Sequence, residues 1–423
     1  MNSEYDRLNN ILIQCEAKKI RGYSLKALLA SELVYLIYGR HKTLKQLNPI
    51  KKLTFLGLAR TAFDYSMLSE VCLTNKVILT YLHPRPDHVE FMQCIKKKVN
   101  NSVIFNNNNV TKCRHYGPIN FILALLMIAT ITKISIREKI HLIVILTQYL
   151  NTLKRLEYLF KGKKIGRIKF VAFNGPYKKD AILTEFFNKR GDETYSIQHG
   201  IYYQYKKFIP YDIINYLFVN TGKILCWGDE AIRVLSKYYG ISPEKLVIAG
   251  NPKYNGINSF SFNVNFSKGM VLLGRFIYHD GNIKLLNLLS KIKKEMEIDF
   301  IIKLHPSLNT KDYKMICNQL KLELAEDLLL SEYLKSDLFS FTISYNTGAY
   351  VESYLQNKIS LRFVIEENES IKGLNDKFKD LTSFKARIRN FQEIDQQTLQ
   401  SNASKMVDST LGVSYDRYAE IIG

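Results

Sequence analysis

The chain has 423 residues, 46% hydrophobic and 23% charged, a composition that excludes gross disorder and supplies core for two domains of about 150 residues or more each. Its charge is lopsided: residues 1–250 hold 38 basic against 18 acidic side chains, a balance of +20, and residues 251–423 hold 22 against 21, a balance of +1. Such a field attracts an anionic membrane surface or an acidic polymer; no zinc-finger spacing, RRM-type aromatic motif or compact basic helix speaks for nucleic acid.

In chain order, residues 1–12 are polar and show no signal-peptide pattern. Residues 1–60 alternate short helical patterns with a strand at 52–58, and a helix follows around 65–73. A strand at 77–82 ends at His83-Pro84-Arg85-Pro86-Asp87-His88. That pair of histidines matches no standard zinc spacing, and the two prolines predict a stiff extended loop. A short strand at 103–105 precedes an Asn-rich surface loop at 106–109. Residues 118–160 read as helical throughout. The most apolar part, 121–131, is too short to span a bilayer, which takes about 20 residues. A buried core helix fits it best, with a membrane-dipping face as the other reading.

From 165 the pattern becomes regular strand-turn-helix units. A strand at 168–173 ends at Asn174-Gly175-Pro176, and a helix runs to about 189. The next strand, 193–197, ends at Gln198-His199-Gly200, followed by Tyr202, Tyr203 and Tyr205. A strand at 223–227 leads to Asp229, expected to cap a helix over 230–239. A strand at 246–249 ends at Gly250-Asn251-Pro252, and the polar stretch 253–268 marks a boundary. The domains expected are 1–252 and 253–400, with residues 401–423 forming a helix that closes back over the first. The six cysteines are scattered without a C-x-x-C pair and read as reduced core thiols of a cytosolic protein.

The second half restarts with a strand at 270–273, a Gly274-Arg275 turn and a helix near 283–296. Two apolar runs come next: 300–304 stops at His305-Pro306, and the second stops at Ser344-Tyr345-Asn346-Thr347-Gly348 before a helix over 349–356. Strands alternating with helices predict an α/β fold, a doubly wound parallel sheet twice over. No Gly-x-Gly-x-x-Gly or P-loop occurs, which argues against a dinucleotide oxidoreductase or an NTPase. Strands of one parallel sheet would bring both turns to one edge, where open α/β sheets bind ligands. Ser344, Asn346 and Thr347 offer donors there, Gly348 admits close backbone, and His305 becomes a cation beside a phosphate. The edge suits the phosphate of an activated sugar, whose charge grows as it leaves.

Gln198-His199-Gly200, Gly250-Asn251-Pro252, Lys303-Leu304-His305-Pro306 and Ser344-x-Asn346-Thr347-Gly348 with Glu352 resemble, in this order, the bacterial GT-B glycosyltransferases of surface polysaccharide synthesis. The nearest by motif are polysialyltransferase-like, Kdo-transferase-like and CDP-glycerol glycerophosphotransferase-like proteins. The resemblance spans about residues 165–365. It implies two Rossmann-like domains facing across a cleft, a nucleotide-sugar donor held by the second domain, and neither metal nor other cofactor. It places His305 on the donor phosphate, Ser344 and Thr347 on phosphate oxygens, Asn346 and Gly348 in the same turn, and Glu352 on the ribose. Gly274 and Arg275 would lie beside the phosphates. Asn174, Gly175, Gln198, Gly200, Tyr202 and Tyr203 would form the acceptor side. Relatives of the sialyltransferase type carry an acid before the glycine where Asn174 stands, so the base must be sought elsewhere. His199 fits it chemically, with Asp180 and Asp212 as other candidates.

The function expected is transfer of a sugar, from a CMP-sugar or else a UDP-sugar, to a capsule or lipooligosaccharide acceptor. The enzyme would be cytoplasmic and peripheral at the inner membrane face. A glycerophosphotransferase, a sugar-nucleotide epimerase and a non-catalytic polysaccharide-binding protein are the alternatives.

Overall fold

The computed structural model describes residues 3–39, 54–82, 85–115, 117–173, 175–205, 209–254, 256, 260–326, 328–365 and 374–423. The first sheet holds β1 (Val77–Tyr81), β2 (Ser102–Asn106), β3 (Lys169–Ala172), β4 (Glu193–Ile197), β5 (Lys223–Cys226) and β6 (Leu246–Ile248). They lie in the order β6-β5-β4-β3-β1-β2, every pair parallel. The second holds β7 (Lys268–Leu272), β8 (Asp299–Lys303), β9 (Glu323–Leu324), β10 (Phe341–Ser344), β11 (Ile359–Phe363) and β12 (Lys377–Phe378). Its order is β9-β8-β7-β10-β11-β12, again all parallel, the strand order of a Rossmann sheet. The chain thus forms two Rossmann-like domains across a cleft, the GT-B arrangement.

Both sheets are covered on both faces, so their central strands are unbroken apolar runs rather than alternating ones. Every residue of β1, β10 and β11 is buried. The helices that position the site are α1 (Pro86–Lys98), α2 (Pro118–Ala129), α3 (Ile136–Phe160), α4 (Lys178–Arg190), α5 (His279–Met296), α6 (Ala349–Leu355), α7 (Gln396–Leu411) and α8 (Tyr418–Ile422). One continuous apolar core runs through both domains, from Val77 and Trp227 to Leu273 and Tyr354.

The chain crosses between domains twice, side by side. It leaves the first after β6 and returns at the end of α7. The two crossings are bonded: Asn251 N–H to the Leu411 carbonyl at 2.8 Å, Gly256 N–H to Val413 at 2.9 Å, and Arg417 N–H to Ala249 at 3.2 Å. The Tyr418 hydroxyl donates to the Gly250 carbonyl at 3.0 Å, Lys98 of α1 pairs with Asp416 at 2.8 Å, and α8 rests on α1.

Several local expectations are corrected. Residues 54–60 are helical rather than a strand, and the strand comes after, at Thr61–Phe63. His83 and Pro84 lie outside the described residues, and the segment after them is helix rather than extended loop: Pro86 stands in the first turn of α1, where its missing N–H costs nothing. In the Asn-rich segment Asn107 is fully buried. The 118–160 pattern breaks between α2 and α3, where Lys133 turns left-handed (φ 61) and Ser135 opens a capping box with Glu138. The apolar 121–131 segment is buried on one face only. Asp229 does not cap its helix; its carboxylate accepts the Ser409 hydroxyl at the end of α7. That helix runs only to Arg233 before widening into a π turn over Val234–Tyr238.

Candidate active site

Register places Leu272, Lys303 and Ser344 level on β7, β8 and β10. His305 and Ser344 therefore leave the same edge, two strands apart, about 10 Å at ~4.8 Å per strand. Between them is the end of β7, where the strand order reverses. The Gly274-Arg275 turn sits there, clamped by Asn282 of α5. Gly274 N–H donates to Asn282 Oδ1 at 2.9 Å, and Asn282 Nδ2 donates back to the Gly274 backbone carbonyl at 2.9 Å. A Cβ on Gly274 would stand 2.8 Å from the Tyr345 carbonyl, so this approach needs glycine.

The ring of His305 is held by Ser307, whose backbone N–H donates to Nδ1 at 3.1 Å and whose hydroxyl lies 2.9 Å from the same nitrogen. A ring nitrogen that accepts a backbone N–H carries no proton, so the proton of His305 sits on Nε2. The Ser307 hydroxyl also accepts Phe276 N–H at 3.0 Å, which ties the β8 turn to the β7 turn.

From the first domain, His199 follows β4, and Arg85 and His88 come from the start of α1. Phe173 lies between the two imidazoles, its ring 4.3 Å from His88 and 5.3 Å from His199. Burial pushes His199 down to about 4, helped by His88, Arg275 and Arg85; a hydrogen bond to the Ile197 carbonyl works the other way. Burial likewise takes His305 to about 4, helped by Arg275 and Arg85. The two histidines thus feel the same two guanidiniums, one from each domain. Three imidazoles and two arginines meet across the cleft; Asp87 accepts Arg85 at 3.1 and 2.7 Å and lies 4.0 Å from His88, which leaves a net positive seat for an anion.

Beside this cluster opens a cavity of about 360 Å³, lined from the second domain by Tyr278, Lys284, Ser344, Asn346, Thr347 and Arg362, and from the first by Tyr203 and Tyr205. The Tyr205 and Tyr278 hydroxyls meet at 3.1 Å across the domains, and Ile201 packs over Gly348. Arg362 is fixed by a bidentate pair with buried Asp376, at 2.9 and 2.8 Å, and lies 4.6 Å over the Tyr350 ring. On the hinge side, burial and then Asp87 raise the Glu352 carboxyl, while Lys253 and the Tyr254 hydroxyl oppose them.

Not every expected residue joins the cleft. Asp180 is fully buried on α4, accepting Asn107 at 2.7 Å and Thr80 at 3.4 Å; it holds the first core together and is out of reach of an acceptor. Gln198 is buried, donates to the Gly200 carbonyl at 2.9 Å and accepts Trp227 N–H at 2.7 Å, so it shapes the β4 turn. Tyr202 is buried in a satellite core with Ile213 and Leu235, where it cannot stack on a sugar. Gly175 packs against the Ser196 hydroxyl, and Gly200 faces open space. The Ser344 hydroxyl shares a buried hydrogen bond of 3.1 Å with Ser360. The Thr347 hydroxyl accepts Ala349 N–H at 3.3 Å, and Asn346 turns left-handed (φ 46). Asn174 and the Asp212 side chain lie outside the described residues.

Sequence reasoning missed Arg85 and His88 as site residues, as well as Arg362. The signal for the first two was their place just after β1, whose end is the other switch point. For Arg362 it was a charge within a central apolar strand, which needs a buried partner.

No protein-family model matches the chain, and no curated protein matches it by sequence. Among solved structures it is similar to the UDP complex of S. aureus MnaA (12% identity, 82% of this chain and 94% of that one, TM-score 0.47). It is similar also to UDP-N-acetylglucosamine 2-epimerase from Rickettsia bellii (11%, 80% and 93%, 0.47). Third is TarM (13% identity, TM-score 0.41); the chain spans only 59% of its length, with 66% of this chain covered. Likeness at this level says nothing about activity, and the fold rests on strand order and register.

Proposed function

We propose that the chain is a glycosyltransferase that moves a sugar from a nucleotide-sugar donor, CMP-sugar before UDP-sugar, to a capsule or lipooligosaccharide acceptor. The observation that carries this reading is the set of basic side chains from both domains, the Arg85 guanidinium and His88 facing the Arg275 guanidinium and His305, beside a cavity of nucleotide size. The donor phosphate would lie between Arg275 and His305, with the Thr347 hydroxyl and the backbone of the Ser344 turn beside it. Glu352 would reach the ribose and Tyr203 the acceptor.

His199 is neutral at pH 7 and able to accept a proton. In the transfer, the acceptor oxygen bonds to the anomeric carbon as the bond from that carbon to the phosphate oxygen breaks. The electron pair leaves with the nucleotide, and the hydroxyl proton passes to His199. The arriving phosphate raises the imidazole's affinity for that proton, so donor binding prepares the base. The excess of 38 basic over 18 acidic side chains in the first 250 residues supports an acidic or lipid-linked acceptor at the inner membrane face.

A thermal-shift panel of CMP, CDP, UDP and GDP tests the reading, because a ligand of the native state raises the melting point. CMP is expected to give the largest shift. If none of the four moves the transition, the nucleotide site does not exist. Incubation with labelled CMP-sugar, UDP-sugar and CDP-glycerol then separates sugar transfer from glycerophosphate transfer.

A further inference from the structure

Helix α2 is apolar all the way round. From 117 to 129 the sequence carries one polar side chain, Asn120. That amide faces inward and donates to Asn151 of α3 at 2.8 Å, with Ala124 and Ile128 completing the buried face. The outer face lies open: Ile119 is 60% exposed, Ile122 53% and Leu126 60%, with Phe121 and Leu125 beside them. Their spacing draws a single ridge along a helix about 18 Å long at 1.5 Å per residue. A contiguous apolar ridge of this kind marks a contact surface.

The charge around the ridge says what it contacts. Residues 112–139 contain Lys112, Arg114, Lys133, Arg137 and Lys139 against Glu138 alone. Glu138 is already taken, accepting Ser135 N–H at 2.6 Å and the Arg7 guanidinium at 3.0 and 2.8 Å. Lys139 closes the end of α2 by donating to the Ala129 carbonyl at 3.0 Å. Arg114, Lys133 and Arg137 are exposed. Ile136, 71% exposed, stands between the last two. An apolar ridge rimmed by cations complements the interface of an anionic bilayer, negative at its headgroups and apolar beneath. A second copy of the chain fits poorly, because a two-fold contact would set one basic rim against the other.

We propose that α2 docks this chain on an anionic bilayer, with Ile119, Ile122 and Leu126 entering the acyl boundary and Lys133 and Arg137 on headgroup phosphates. No helix among the described residues is long and apolar enough to cross a membrane, so this is contact with one leaflet. It gives a surface to the location proposed for the acceptor, the inner membrane face, and rests on that location alone, not on the chemistry of the cleft.

Flotation of the full chain with vesicles of phosphatidylcholine alone, or of equimolar phosphatidylcholine and phosphatidylglycerol, tests the assignment. The chain is expected to float with the mixed vesicles, weakly with the neutral ones, and less as salt is added. The pair Ile122→Asp and Leu126→Asp should weaken vesicle affinity about tenfold or more, by removing apolar burial and adding repelled charge. Lys133→Glu with Arg137→Glu should weaken it and flatten its salt dependence. All four positions are exposed, so the melting point and any nucleotide-induced shift should stay at wild-type values. Loss of the nucleotide shift with flotation intact would count against the cleft reading alone. The docking face is overturned if the wild type stays off phosphatidylglycerol vesicles or if the double aspartate variant floats like wild type. It is also overturned if sedimentation shows a wild-type dimer that this variant dissolves.

Discussion

His199 and His305 are held neutral by burial and by neighbouring positive charge, so their protonation reports on what enters the cleft. Both folded-state values, about 4, lie below the ordinary 6.5. Their neutral forms therefore stabilise the free protein above pH 6.5, and that contribution is lost as the pH falls from there through 4. A bound phosphate reverses the shift of His305, which becomes a cation by giving up the Ser307 N–H at Nδ1, so binding should take up a proton near pH ~6 and tighten as the pH drops. Calorimetry of a non-hydrolysable nucleotide sugar in two buffers of different ionisation heat reads this directly; affinity flat in pH, with no uptake, would count against the site. His305→Ala should weaken nucleotide binding by roughly ten- to a hundredfold, the worth of one charge-assisted hydrogen bond. His199→Ala should instead lower turnover by about 10²–10⁴ with nucleotide affinity nearly unchanged. Beside them, Arg362→Met leaves Asp376 buried without its bidentate partner. The loss, read by urea unfolding, should be about 3–5 kcal/mol.

Among the elements, the strands of both sheets were legible because burial on two faces demands unbroken apolar runs, and β4 was expected at the residues where it lies. The two turns at the edge of the second sheet were legible for the same reason: His305-Pro306 and the Ser344 turn each end such a run. What misled was polar sequence in buried places. Asn107 reads as loop, yet it joins Tyr65 to Asp180 inside the first domain. The same network removes Asp180 from the cleft, and no local pattern announces it. Likewise α2 reads as core because its sequence is apolar, but periodicity cannot tell a helix buried all round from one buried on one side. The end of α7 rests on one backbone position. Gly412 turns left-handed (φ 61) with the Trp227 carbonyl packed where a side chain would go. Gly412→Ala should cost about 1–3 kcal/mol for the dihedral alone, with the clash added, as measured by the denaturant midpoint.

For the molecule as a whole, the shared core and the paired crossings predict that the two domains melt together. Scanning calorimetry should show one transition for the full chain. Removing residues 413–423, which bond to Ala249, Gly250 and Gly256, should split or broaden it. If the truncated chain melts as sharply and as high as the full one, the second crossing contributes nothing to coupling. The paired crossings also constrain movement. A body joined to another by a single strand can tumble in any direction, whereas one fixed at two adjacent pins swings like a door about the line through them. Here the pins are Asn251–Leu411 and Gly256–Val413, and the Tyr205–Tyr278 contact is the latch on the free edge.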